Sequence, residues 1–171
     1  MLSNDFNLDY FIGIQYGDFD GKITASSEYN PDHSVKGCKL NKLITSEPWH
    51  ASAWVASKSD EKKYIEVNFG KEYLINGISI QGRGDCNQYV TKFRVLYSLD
   101  GNNFVNLSEF KGNTDNVNIV KRRFPIPVYA TAIRVQILEY YDYPALRFDL
   151  HYIPSNIPQI IKDQIISKYI K

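Results

Sequence analysis

The 171-residue chain is 43% hydrophobic and carries 20 basic and 19 acidic residues, a net charge of +1. This composition fits one ordinary globular domain with a single core. Nucleic acid is not an expected partner, because a near-neutral chain has no long-range field to gather phosphates. The first residues have no basic start and no long apolar run, so we expect neither a secretory signal nor a membrane span.

The two ends of the chain differ from its middle. Residues 1–20 carry aromatic residues without a clean period and are predicted to form an extended arm, with room for one short strand; these aromatics are Phe6, Tyr10, Phe11, Tyr16 and Phe19. Residues 21–153 form the predicted domain. In the tail, residues 154–171, a short helix would place Ile161, Ile165 and Tyr169 on one side. A helix that short is marginal alone, so we expect the tail to dock on this domain or on a partner.

The middle of the chain alternates apolar and polar residues with a period of two, which is typical of strands that bury one face. Five such runs follow one another, with buried-face positions at Ile65, Val67 and Phe69; Leu74, Ile78 and Ile80; Phe93, Val95, Tyr97 and Leu99; Ile133, Val135 and Ile137; and Leu146, Phe148, Leu150 and Tyr152. Asp100-Gly101 supplies a hairpin turn after the third run. Repeated strands without a long amphipathic helix predict an all-β sandwich or jelly roll.

Ordered motifs over about three quarters of the chain carry a family resemblance. They are ITASSEYN (23–30), KYIEVNFG (63–70), INGISIQGRGDCNQYVTKFRVLYSLDGNNF (75–104), FKGNTDNVNIV (110–120), FPIPVYATAIRVQIL (124–138) and ALRFDLHY (145–152). Together they resemble the discoidin, or coagulation factor 5/8 type C, family. The resemblance implies a galactose-binding-like jelly-roll β-sandwich whose ligand-facing loops gather at one end.

The loops that the resemblance turns toward a ligand are rich in polar and aromatic side chains, the combination that sugar binding requires. The candidate residues are Asn30, Asp32 and His33 on the first loop, Arg83, Asp85 and Asn87 on the third, and Tyr140, Tyr141 and Tyr143 on the last. Simple turn chemistry at Asn30, Pro31 and Asp32 is an alternative explanation of the first group. Arg83-Gly84-Asp85 matches a common adhesion tripeptide, but we expect Arg83 to brace its loop by pairing with a neighbouring carboxylate.

The resemblance also sets expectations for membranes. Family members that bind membranes carry apolar spikes on the first and third loops. Here residues 28–37 offer only Tyr29 and Val35, and residues 82–88 offer no large apolar side chain. Burial of a spike contributes about 1.5–3 kcal/mol each, so membrane insertion is disfavoured.

Some sugar-binding relatives hold a structural calcium ion. The matching positions here are Asn41, Thr45 and Asp149. Only Asp149 carries a negative charge, which is little for a divalent ion that takes six to eight oxygen ligands. No cofactor is therefore expected. Trp49, Trp54 and Arg147 are expected inside the sandwich, with Arg147 paired to an acidic group.

The cysteines bear on location. Cys38 and Cys86 have no metal-site spacing, and the end-to-end disulfide of many secreted members is missing. Free thiols and an intracellular, cytoplasmic location are expected, although export without a signal peptide is compatible with the sequence.

Two functions stay open. The first is a non-catalytic lectin module that binds a galactose-type glycan through the loops. The second is a protein-docking subunit of an intracellular assembly of the cytoskeletal, ciliary or ubiquitin-ligase type. An enzyme is not expected, because none of His33, His50 and His151 has a nucleophile or metal-ligand partner at useful spacing.

Overall fold

Ten strands, one α-helix and three single-turn 3₁₀ helices (Ile14–Tyr16, Pro31–His33 and Val35–Gly37) make up the regular elements of the computed structural model, which describes residues 9–17 and 19–170. Residues 1–8 of the expected arm, including Phe6, lie outside the described residues, as do Asp18 and Lys171. In chain order the elements are β1 (Tyr10–Phe11), β2 (Lys22–Ala25), β3 (Thr45–Ser46), β4 (Trp49–His50), β5 (Trp54–Val55), β6 (Tyr64–Gln81), β7 (Tyr89–Ser98), β8 (Val105–Lys111), β9 (Val120–Tyr141), β10 (Ala145–Tyr152) and α1 (Gln159–Ser167).

Two long strands, β6 and β9, each contribute to both layers of a sandwich. Residues 64–68 of β6 pair with β2 and with residues 132–136 of β9, and this layer continues through β7 to β8. Residues 75–81 of β6 pair with β10, residues 75–80 pair with the first part of β9, and β1 pairs with the far side of β10. Between the two halves of β6 the register shifts, and Gly70 adopts the left-handed conformation (φ 69°) that glycine takes without strain.

The alternating apolar residues meet in one interior, with one correction: Leu99 is 60% exposed, because β7 ends at Ser98. Phe93 and Val95 of one layer pack in the same cluster as Phe148 and Leu150 of the other, together with Ile133, Val135 and Leu146. Trp54 is fully buried there and its Nε1 donates to the Ser27 carbonyl over 3.0 Å. The predicted all-β jelly-roll sandwich is confirmed.

Both described ends of the chain lie on the sandwich. β1 pairs with β10 over two residues. In α1 the Ile165 side chain is buried, and beyond the helix the Tyr169 hydroxyl donates to the Asn76 carbonyl over 2.7 Å. The tail helix therefore docks on its own domain, with Ile165 and Tyr169 on the predicted side. No helix in residues 9–17 and 19–170 is long and apolar enough to cross a membrane.

Candidate functional site

A polar pocket lies between the loops at one pole of the sandwich. It encloses about 200 Å³ and is lined by Tyr29, His33, Val55, Arg83, Gln88 and Tyr143. The first loop, the third loop and the loop after β9 each contribute to it. These are the loops that the sequence predicted to converge.

His33 is presented by a 3₁₀ turn, Pro31–His33, that Asn30 caps. The Asn30 Oδ1 accepts the Asp32 backbone N–H at 3.0 Å and the His33 Nδ1–H at 2.5 Å. Because an amide oxygen only accepts, Nδ1 carries the proton and the neutral ring keeps Nε2 as an acceptor. The Nε2 atom has no hydrogen-bond partner in the described part of the chain.

His33 stays neutral near pH 7 for two reasons. The residue is only 8% exposed, and burial is the largest effect lowering its pKa below the usual 6.5. The positive charge of Arg83 lowers it further, against a smaller opposing effect of Asp32 and Asp85. An acceptor nitrogen and a permanent cation therefore stand side by side in the pocket.

Arg83 is held rigidly by its own loop. Its Nε and Nη2 donate to the two carboxylate oxygens of Asp85 at 3.0 and 2.8 Å, and its Nη1 donates to Gln88 Oε1 at 3.1 Å. These three bonds occupy three of the five guanidinium N–H groups. The other two have no partner among the residues that the structure describes, so the pocket has a fixed donor with unused hydrogens.

Asp85 is a brace for Arg83. Burial raises its pKa, but hydrogen bonds from Arg83 and Ser52 and the charge of Arg83 outweigh this effect and hold the pKa well below the usual value. The Arg83-Gly84-Asp85 tripeptide is closed on itself by this ion pair, as expected for Arg83. It therefore does not present two separate charges to an adhesion receptor.

Aromatic rings form the wall around His33. Tyr29 meets Tyr143 edge-to-face with centroids 5.5 Å apart and meets His33 at 5.2 Å. Trp49 approaches His33 at 5.6 Å and is 42% exposed. The expectation that Trp49 packs in the core was wrong, because the β3–β4 hairpin carries it outward to the rim of the pocket.

The six predicted site residues of the first and third loops separate into three groups. His33 and Arg83 line the pocket, and Asn30 and Asp85 orient them from behind. Asp32 is exposed beside the pocket, and Asn87 is exposed with its side chain outside it.

Tyr140 and Tyr141 require a correction, since neither lines the pocket. Strand β9 continues through Tyr141, so the two rings point to opposite faces. Tyr140 packs against the core, and Tyr141 stacks on Tyr89 at 5.1 Å.

Of the three tyrosines that the sequence offers on the last loop, Tyr143 lines the pocket. Sequence reasoning missed three pocket residues as ligand groups: Tyr29, Val55 and Gln88. Gln88 carried no signal, since its role depends on its side-chain bonds to Arg83 and to Asp142.

Arg147 is buried but is not paired to an acidic group, contrary to expectation. Its Nε, Nη1 and Nη2 donate to the carbonyls of Gly82 (2.6 Å), Lys42 (2.9 Å) and Asn116 (3.4 Å). Burial lowers the pKa of Arg147 to about 10, which leaves it charged near neutral pH. The Arg147 guanidinium thus links three loops through their backbone carbonyls.

The calcium candidates take their hydrogen bonds elsewhere. Asn41 Oδ1 accepts from Gln81 Nε2 at 3.4 Å, and the Thr45 hydroxyl donates to the Pro48 carbonyl at 2.8 Å. Asp149 is fully buried and accepts the Gln15 backbone N–H at 3.1 Å. The chemistry of these three residues does not fit one calcium centre. Residues 9–17 and 19–170 contain no cluster of three or more His, Cys, Asp or Glu residues suited to a metal ion.

Both cysteines are unpaired. Cys38 is fully buried, and this burial raises the pKa of its thiol to about 12. Cys86 lies beside Asp85, and partial burial raises its pKa as well. Neither thiol has the lowered pKa that marks a reactive cysteine.

Comparison with known proteins identifies the domain. The model of the F5/8 type C domain matches residues 22–150. This chain belongs to the F5/8 type C domain family. Among curated relatives of the domain, discoidin-2 of Dictyostelium discoideum is 30% identical over 138 residues, 77% of this chain and 54% of discoidin-2. Hemocytin of Bombyx mori is 29% identical over 152 residues, 83% of this chain and 5% of hemocytin. The chain thus spans about half the length of discoidin-2 and a small part of hemocytin.

Solved structures show the same F5/8 type C architecture. Discoidin II of Dictyostelium discoideum superposes with a TM-score of 0.77 at 27% identity, covering 86% of this chain and 62% of that one. The family 32 CBM of C. perfringens NanJ, solved in complex with galactose, has a TM-score of 0.62 at 18% identity and covers 77% of this chain and 93% of that module. A second family 32 CBM of Clostridium perfringens, CpGH89CBM32-5, was solved in complex with GalNAc-β-1,3-galactose and has a TM-score of 0.61 at 24% identity, covering 78% of this chain and 95% of that module.

Proposed function

We propose that this domain is a non-catalytic module that binds a galactose-type glycan in the polar pocket. The observation that carries the proposal is the pair of buried, oriented side chains His33 and Arg83, both 8% exposed, with unused polar atoms beside an aromatic wall. A pocket of about 200 Å³ is smaller than the ~300–1,000 Å³ of sites for drug-sized ligands. Its size suits one sugar ring.

The chemistry of the pocket matches neighbouring hydroxyl groups. His33 Nε2 accepts one hydroxyl hydrogen, and the remaining N–H groups of Arg83 donate to an adjacent hydroxyl oxygen. Galactose carries such a pair of hydroxyls on one face of its ring, at positions 3 and 4. In glucose the 4-hydroxyl lies on the opposite face from the 3-hydroxyl. Tyr29 or Tyr143 would cover the apolar C–H face of the sugar.

The lining residues support binding without hydrolysis. Glycoside hydrolysis ordinarily uses two carboxyl groups on either side of the scissile bond. The described lining of the pocket contains none, and the nearby Asp85 carboxylate is committed to Arg83 and Ser52.

The test is calorimetric titration of the wild type and two variants with galactose and with glucose. We expect galactose to be preferred, and we expect His33→Ala to weaken galactose binding at least tenfold. Asn87→Ala is the matched control, since Asn87 lies on the third loop with its side chain outside the pocket. Unchanged affinity in a folded His33→Ala variant, or equal affinity for glucose, would overturn the proposal.

A second proposal is protein docking, which an exposed apolar hairpin favours. Leu43 is 75% exposed and Ile44 is 49% exposed, and both immediately precede β3 beside the outward-facing Trp49. Contiguous exposed apolar groups often mark interaction surfaces. If the domain docks a protein through this hairpin, the double substitution Leu43→Ser with Ile44→Ser would abolish capture of a defined partner protein, while His33→Ala would not. The reverse dependence would exclude docking through the hairpin.

A further inference from the structure

A second, larger cavity lies on the flank of the sandwich near the polar pocket. This flank groove encloses about 720 Å³, and its lining includes Tyr89, Thr91, Lys92, Lys111, Thr114 and Glu139. It lies where β7 begins and where β8 and β9 end. The flank groove is therefore at the same pole of the molecule as the binding loops.

The polar pocket and the flank groove adjoin along two chain segments. Gln88 lines the pocket and Tyr89, the next residue, lines the groove. Across the sheet, Asp142 accepts a hydrogen bond from Gln88 Nε2 at 3.0 Å, and the preceding Tyr141 stacks on Tyr89 with the two rings 9° from parallel. A ligand that leaves the pocket past Gln88 and Asp142 would meet this stacked tyrosine pair next.

The floor of the flank groove is fixed by the main chain. The backbone N–H groups of Gly112 and Asn113 donate to the carbonyls of Thr91 and Val90, each at 2.7 Å. A Cβ atom at position 112 would lie 2.2 Å from the Val90 carbonyl oxygen, so only glycine lets the loop approach β7 this closely. The groove is thus a built feature of the surface.

The groove offers polar groups that no other part of the described chain uses. The hydroxyls of Thr91 and Thr114, the Glu139 carboxylate and the Lys111 ammonium make no hydrogen bond or ion pair within residues 9–17 and 19–170. Its charges balance, since Lys92, Lys111, Glu109 and Glu139 all line it. A balanced set of donors and acceptors beside aromatic rings suits a neutral, hydroxyl-rich ligand better than a phosphate or a strongly charged peptide.

We infer that the flank groove binds the continuation of the glycan whose terminal sugar occupies the polar pocket. This inference rests on the proposed function and assigns its ligand to galactose-terminated oligosaccharides. The groove has more than three times the volume of the pocket, which gives room for two or three further sugar residues. The terminal sugar supplies selectivity, and the following residues supply additional affinity.

The experiment is a length series in which galactose, a disaccharide, a trisaccharide and a tetrasaccharide share the same terminal galactose. We expect the affinity to rise at least tenfold from galactose to the trisaccharide. In Glu139→Ala with Thr114→Ala this rise should disappear while the affinity for galactose stays unchanged. Glu72→Ala, which removes an exposed carboxylate that lines neither the pocket nor the groove, is the matched control.

Amide chemical shifts in the same titrations locate the contacts. The trisaccharide should shift the amides of Lys92, Gly112 and Thr114, and galactose alone should not. Affinity that is independent of glycan length, or a length effect that survives the double substitution, would overturn the proposal for the flank groove. The proposal for the polar pocket would still stand. Failure of every glycan in the series to bind would overturn both proposals.

Discussion

At the scale of single residues, the buried side chains of this domain divide into one group that supports the sandwich and one that prepares the pocket. His33 and His151 show the contrast. Each is buried and has a lowered pKa, but His33 turns Nε2 toward an open pocket, whereas His151 Nε2 is 2.7 Å from the Ser79 hydroxyl inside the fold. Burial alone is therefore no guide to function.

His151 makes the stability of the domain depend on pH. Burial lowers its pKa to about 4, against the opposing charge of Asp9. The unfolded chain takes up a proton near pH 6.5 and the folded chain does not, so stability is full above that pH and falls as the pH drops toward 4. One pKa unit corresponds to about 1.4 kcal/mol, so the loss attributable to His151 is about 3 kcal/mol.

Urea unfolding at pH 7, 5.5 and 4 measures this loss. In His151→Gln the decline should be shallower than in the wild type, and His50→Gln, at a half-buried histidine, is the control. Identical slopes for the wild type and His151→Gln would show that this histidine is not the source. Asp149 does not confuse the comparison, because its raised pKa acts with the opposite sign and is present in all three proteins.

Arg147 supports three loops at once. Arg147→Met would leave the carbonyls of Lys42, Gly82 and Asn116 without their donor, and each lost bond to a charged group costs about 1.5–3 kcal/mol. We expect the free energy of unfolding to fall by about 3 kcal/mol or more. Chemical denaturation measures it, with the exposed Arg123→Met as control; equal stability of the two variants would contradict the role given to Arg147.

At the scale of elements, the tail helix α1 is held by few contacts. Ile165 is 3% exposed, whereas Ile160 on the same helix is 69% exposed. Truncation of a buried isoleucine costs about 2 kcal/mol or more, and truncation of an exposed one costs about 0.5 kcal/mol or less. Ile165→Ala should therefore undock the helix, and Ile160→Ala should not.

Hydrogen exchange of the α1 amides measures this difference directly. A loss of about 2 kcal/mol corresponds to roughly 30-fold lower protection in Ile165→Ala. Equal protection in both variants would mean that the helix is not held through Ile165.

At the scale of the whole molecule, the sandwich was predictable and much of the pocket was not. Period-two alternation places Phe93, Val95, Phe148 and Leu150 inside, because a strand with one wet face has only one way to bury the other. The family resemblance likewise placed Asn30 and His33 on a loop at the pole of the sandwich where the polar pocket lies.

The misassigned residues have physical reasons in common. The sequence predicts a loop at Tyr140 and Tyr141, but β9 extends through them and alternation turns them away from the pocket. The family resemblance predicts a core position for Trp49, but a short hairpin exposes it. In each case the position depends on where a strand ends, which a local pattern specifies poorly.

The central claim is that the buried, pre-oriented side chains of His33 and Arg83 bind a sugar in the polar pocket. Titration of the isotopically labelled protein with galactose tests this claim most directly. We predict saturable amide shifts confined to residues around the polar pocket, with His33, Gln88 and Tyr143 among them, and weaker or absent shifts with glucose. Shifts that map to another surface, or none at concentrations where a monosaccharide should saturate the site, would contradict the claim.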